Sequence, residues 1–178
     1  MINRFKYVLY LIEQFIETFM ENIFDARTVQ QYIDRINQLT PETKGLWGKM
    51  SVGQMLAHLN VSYEMVYEPH LNRKPGFISK FLMKRFVKPK VVSELPYKQN
   101  LPTSPQFIVT ADKNVEEERK RLIGFMQKTQ TLGTASFDGK ENVSFDGKEN
   151  VSFGKLTASE WNNMFAKHLN HHLAQFGV

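Results

Sequence analysis

The last stretch of the chain, Thr157 to Gly177 (TASEWNNMFAKHLNHHLAQFG), constrains the fold most, because it carries both ends of a helix and its buried face in one run. Thr157 can cap the first turn, and Glu160, three residues on, can reach back to close a capping box. Gly177 stands where a helix wants a left-handed residue at its C-terminal end. Between them Trp161, Met164, Phe165, His168, Leu169, His172 and Phe176 recur at three- and four-residue steps, the period of a helix with one dry side. His168 falls near the middle of that stripe, His172 lies one turn along, and Gln175 points nearly the same way as His168.

Two imidazoles one helical turn apart can hold a single metal ion between them. The competing reading is a hydrogen-bonded pair of core histidines, or a partly exposed face. Burying two polar rings side by side costs free energy unless both find partners, so either reading demands specific neighbours. The spacing is HxxxH without a glutamate at the second position, so it is not the HExxH of the zinc proteases.

The chain has no cysteine, which excludes disulfides, thiolate ligands and a cysteine nucleophile. Any metal must therefore be held by nitrogen and oxygen. At 178 residues, 42% of them hydrophobic, the chain is long and apolar enough for one domain with a core. Its net charge of +5 permits anionic partners but is too mild to point to nucleic acid. No run is long and apolar enough to span a membrane. The apolar run Tyr7 to Ile12 is followed by Glu13, Gln14 and Glu17 and has no small-residue cleavage site, so it does not read as a signal peptide. It reads as an amphipathic helix with Phe5, Val8, Leu9, Ile12, Phe15, Ile16 and Phe19 on one side, and the expected location is the cytoplasm. Met20 offers an alternative start.

Further along, Val29, Tyr32, Ile33, Ile36 and Leu39 predict a helix over 27–38, and Thr40-Pro41-Glu42 a turn that leads to Trp47. Ser51 and Gln54 form a second capping box at the head of a helix over 51–67, whose inner side carries Met55, His58, Leu59, Ser62 and Val66. A lone histidine is usually structural, but His58 gains weight because the C-terminal helix supplies two nitrogens and needs a third. Six of the seven prolines fall between residues 69 and 105, so regular structure should be broken there. Within this region Phe77 to Val87 is helical in pattern, and Arg73, Lys74, Lys80, Lys84, Arg85, Lys88 and Lys90 make it basic, with no acid from Pro69 to Ser93. The expectation is a solvated basic face on a helix whose aromatics are core. The alternative is a surface for phosphate, anionic lipid or nucleic acid.

A helix over 112–132 is ended by Gly133, with Val115, Leu122, Ile123, Phe125 and Met126 on its buried side. Ser136 to Val143 then reads SFDGKENV, Ser144 to Val151 repeats it without a change, and Ser152-Phe153-Gly154-Lys155 starts a broken third copy. Two copies are too few for a solenoid, and a tolerated surface insertion is expected rather than a hairpin or a cation-binding loop. Four amphipathic helices with one long crossover predict an all-α four-helix bundle, up-down-down-up. The link between the first two helices implies that they are antiparallel neighbours.

LWGKMSVGQMLAHLN (46–60) and FGKLTASEWNNMFAKHLNHHLAQFGV (153–178) resemble the DinB/YfiT-like superfamily, and within it an uncharacterised branch of unknown function. The resemblance covers about residues 20–178 and leaves 1–19 as an N-terminal helical extension. It implies a four-helix bundle and a divalent metal held by His58, His168 and His172, with His171 and Gln175 in supporting roles. Zinc or nickel would suit three imidazoles, with iron, cobalt or manganese also compatible. Relatives in this superfamily use low-molecular-weight thiols such as bacillithiol, mycothiol or glutathione. The implied activity is thus a metal-dependent thiol transferase or a metal-hydroxide hydrolase acting on a small molecule. The alternative is a non-catalytic, metal-stabilised helical bundle serving as a dimeric stress-response or binding module. A homodimer is expected in either case, with no nucleic acid and no membrane span. Glu64 and Glu68 are candidates for a general base by proximity only, and the basic stretch 73–90 could meet an acidic cosubstrate. The octapeptide repeat and residues 1–19 depart from the superfamily pattern and bear on the loops around the site.

Overall fold

The computed structural model describes residues 21–71, 75–135 and 145–178. The amphipathic stretch 5–19, the Met20 start, Arg73, Lys74 and the first octapeptide copy lie outside them. Among the described residues the fold is mostly helical, with one small antiparallel sheet. In chain order it comprises α1 (Ala26–Asn37), α2 (Val52–Tyr67), α3 (Phe77–Leu82), a π-helical turn (Met83–Val87), α4 (Lys88–Val92), α5 (Val115–Ala135), β1 (Glu149–Asn150), β2 (Gly154–Lys155) and α6 (Ala158–Gln175).

Local signals set most of the boundaries. Asp25 caps α1 by accepting from the Thr28 amide at 2.9 Å. Both capping boxes form, Ser51 with Gln54 and Thr157 with Glu160. The chain leaves α6 through Gly177 at φ 77°, and the Val178 amide returns to the Leu173 carbonyl. One boundary is misplaced by the sequence. Gly133 does not end α5, which continues to Ala135; its role is close approach, since a Cβ there would lie 2.2 Å from Phe24 Cδ1.

α2 is buried on almost every side from Val52 to Tyr63, as expected of the central element. Its pairs with α5, Asn60–Glu118, Glu64–Arg121 and Tyr67–Thr129, advance together, so α2 and α5 run parallel. The pairs His58–His172 and Ser62–His168 advance oppositely, so α2 and α6 are antiparallel. Tyr32 and Arg35 of α1 bond to Ala166 and Asn170, which makes α1 parallel to α6. The main neighbours of α1 are α5 and α6, not α2 as the link between them suggests. Residues 38–51 do not turn back tightly. They cross the end of α6, where the Leu46 amide donates to the Gln175 carbonyl at 2.7 Å.

Leu56, Leu59, Ile36, Leu122, Phe165, Leu169 and Leu173 meet in the core between these helices. Tyr63 stacks between Phe125 and Phe165, with ring centroids 5.9 and 4.4 Å away.

The second octapeptide copy is no surface insertion. Phe145 is buried against Phe24, Trp161 and Phe165, and Asp146 accepts from the Ala158 amide at the head of α6. Asn150 accepts from the Ser152 and Phe153 amides and turns the β1–β2 hairpin, which the all-helical expectation omits. Phe153 of the broken third copy is buried as well.

The aromatics of 77–87 are a second correction. Phe77, Phe81 and Phe86 are exposed, not core. Pro89 accounts for the π-helical turn before it, because a proline ring clashes with the carbonyl four residues back in a regular helix. α4 is fastened to α6 by three groups. Lys88 pairs with Glu160 at 2.9 Å, Asn163 donates to the Val92 carbonyl, and the buried Lys167 amine donates to the carbonyls of Lys90 and Ser93. A cation against the last carbonyls of a helix is well placed for its dipole.

A three-histidine cluster between two antiparallel helices

α2 and α6 carry His58, His168 and His172 to a common point. Each offers a nitrogen within 4.8 Å of those of the other two. The ring centroids are 4.6 to 4.9 Å apart and the rings stand edge to face, at 65° to 72° to one another. His58 and His172 are buried, at 5% and 7% exposure, and His168 is half-buried.

The outer nitrogen of every ring has a partner. His58 Nδ1 lies 2.8 Å from the Phe107 carbonyl, which can only accept, so Nδ1 carries the proton and Nε2 presents its lone pair inward. His172 Nδ1 lies 2.8 Å from Gln175 Oε1. The Gln175 amide is fixed in turn, because its Nε2 donates to the Trp47 carbonyl at 2.8 Å. His172 Nδ1 is therefore also the protonated nitrogen, which leaves Nε2 as the nitrogen with a lone pair for the cluster. His168 Nδ1 lies 2.8 Å from Ser62 Oγ, which can donate or accept. His58 Nε2 and His168 Nε2 are 2.9 Å apart. Two lone pairs cannot share that distance without a proton or a cation between them. When Ser62 accepts, all three inner nitrogens present lone pairs, which is the donor set a divalent ion takes from imidazole.

The electrostatics favour the neutral form of all three rings. Burial, then the neighbouring His58 and His172, holds the His168 pKa well below its ordinary value. Burial brings His172 down to about 3 and lowers His58 as well.

His171 does not join the cluster. Its ring packs edge-on against His172, Trp47 and Tyr97, which places it at the rim. Gln175 lies between the cluster and the loop, bonded to His172 and to the Trp47 carbonyl. Glu64 and Glu68 are not available as bases for the cluster: both carboxylates grip Arg121 of α5, at 2.6 Å each. Residues 22–177 match the family described as protein of unknown function DUF1569.

The chain belongs to this family. No curated protein and no solved structure matches it. The DUF1569 match takes in all three clustered histidines and the outer partners of each ring.

Two of those partners, Ser62 and Phe107, escaped the sequence, as did the Trp47 carbonyl that fixes Gln175. Ser62 carried a usable signal, since it lies four residues after His58 on the same helical face. Phe107 carried none, because its contribution is a backbone carbonyl reached through a 3-10 turn (Pro105–Phe107) far along the chain. Trp47 likewise acts through its carbonyl. Gly48 beside it has φ 79°, and a Cβ there would come within 2.4 Å of Gln175 Nε2, so glycine is what lets the amide lie against the loop.

Proposed function

We propose that this protein holds one divalent metal ion through His58, His168 and His172, in a DinB/YfiT-like four-helix bundle over residues 20–178. In this reading α1, α2, α5 and α6 are the four bundle helices, up-down-down-up, and residues 1–19 are an extension. The observation that carries the proposal is the orientation of the rings. Each of three imidazoles turns Nδ1 to a separate outer partner and leaves Nε2 toward one point.

The proposed activity is that of a cytoplasmic metal-dependent enzyme acting on a small molecule, by thiol transfer or by hydrolysis. A metal held by three imidazoles would supply an open coordination position at which water or a thiol is acidified. The chain's own residues do the rest. His58 and His172 are kept neutral by burial, while the Phe107 carbonyl and Gln175 fix which nitrogen of each ring carries the proton. The Phe107 ring, 5.3 Å from His58 and 5.8 Å from His168, limits access for bulk water. His171 and Tyr97 line the rim, where a bound small molecule would meet them.

The Phe107 ring also favours a second reading. An aromatic side chain over two of the three ligands suits a closed site in a non-catalytic, metal-stabilised dimer. The experiment is metal analysis of untagged protein, wild type against His168→Ala, followed by assay with low-molecular-weight thiols and an electrophile. About one ion per chain, lost in the variant, supports the site. Thiol-dependent turnover lost with the metal supports the enzyme, and a stoichiometric ion without turnover supports the closed module.

A further inference from the structure

The second feature of the molecule without a role lies away from the histidines, on the segment 77–92. Phe77, Ile78, Phe81 and Phe86 are 89%, 73%, 61% and 60% exposed, and Leu82 is exposed beside them. Large apolar side chains scattered singly on a surface need no explanation, but five within ten residues do. Lys84, Arg85 and Lys90 are exposed along the same segment, and the Arg85 guanidinium lies over the Phe86 ring at 5.6 Å. Lys80 and Lys88 instead turn toward the body of the protein and pair with Glu149 and Glu160. The sequence has no acid between Pro69 and Ser93.

We propose that the outward edge of residues 77–92 docks on an anionic lipid surface. Phenylalanine, isoleucine and leucine on one edge with lysine and arginine alongside is the composition of a helix that lies in the headgroup layer. The apolar edge enters the acyl boundary while the cations meet anionic headgroups. Charge favours an anionic lipid surface over a protein segment, because Lys84, Arg85 and Lys90 stand exposed beside these apolar side chains with no acid from Pro69 to Ser93. Nucleic acid fits less well, because Ile78 and Leu82 interrupt the aromatics and offer no stacking face. α4 is fixed to α6 through Lys88, Asn163 and Lys167, so the edge is presented by a folded body. The proposal is independent of the metal site.

The test is cosedimentation of the full-length protein with phosphatidylcholine vesicles, with and without phosphatidylserine. Binding is expected to the anionic vesicles, to weaken as salt is raised, and to fall about tenfold in the double variant Phe77→Ser/Phe81→Ser. Lys84→Gln/Arg85→Gln should weaken binding to the anionic vesicles in the same assay. All four side chains are exposed, so circular dichroism and melting temperature should be unchanged and report intact folding. Absence of binding to anionic vesicles overturns the proposal. So does binding that survives the double phenylalanine substitution, which would belong to another part of the chain. Self-association that the double variant abolishes, without vesicle binding, overturns it in favour of a second copy.

Discussion

His58 and His168, 110 residues apart in sequence, face each other across two antiparallel helices with their Nε2 atoms 2.9 Å apart. Both rings are oriented from behind, His58 by the Phe107 carbonyl and His168 by the Ser62 hydroxyl. The neutral cluster has one proton too few or one cation too few to satisfy every inner nitrogen when Ser62 accepts.

Ser62 is the outer partner of His168 Nδ1, and when it accepts, Nε2 is left with its lone pair for a metal. Ser62→Ala should lower metal affinity by about tenfold to a hundredfold, the usual effect of losing an outer partner. Competition with a chelator measures it. An unchanged affinity would show that the hydroxyl does not set the tautomer.

Gly48 acts at one further remove. Gly48→Ala forces a Cβ toward Gln175 Nε2 at a backbone angle that side chains rarely adopt. The expected result is a stability loss of about 1–3 kcal/mol together with weaker metal binding, because His172 loses its fixed acceptor. Urea denaturation and metal competition on the same variant read the two effects separately.

The pH dependence has a definite sign. His58, His168 and His172 have pKa values below the ordinary imidazole value, with His172 at about 3. Unfolded imidazoles take up protons near pH 6.5, while these folded ones do not. The unfolded state then binds more protons, so stability of the metal-free protein falls as pH drops below about 6.5 and keeps falling toward the folded values. Above that range the cluster contributes no slope. Urea midpoints at pH 7.5, 6 and 5 should decline for the wild type and decline less for His172→Gln. Equal slopes for the two proteins would contradict the assignment.

Phe145 anchors the repeated octapeptide in the core. Phe145→Ala should destabilise the protein by about 3–5 kcal/mol, as for other buried phenylalanines. Thermal or urea melting tests it. A loss below about 0.5 kcal/mol is what an exposed insertion would give.

The sequence made parts of this structure legible because they are written locally. Capping boxes at Ser51 and Thr157, the left-handed Gly177, and the spacing of His168 and His172 depend on neighbours within a turn. His58 could be added because α6 offers two nitrogens and a site needs a third. What stayed hidden depends on partners distant in sequence. Phe107 and Trp47 contribute carbonyls, which no side-chain pattern marks. Gly133 reads as a helix stop but answers to Phe24, more than 100 residues away. Phe77, Phe81 and Phe86 have the period of a buried face, and periodicity cannot say whether that face meets protein or something else.

The most direct test is titration of metal-free protein with zinc, followed by ¹⁵N NMR of the imidazole nitrogens. At one equivalent the Nε2 signals of His58, His168 and His172 are expected to move together while those of His70 and His171 stay in place. Saturation without movement of all three Nε2 signals, or ligation through Nδ1, would contradict metal binding by these three nitrogens.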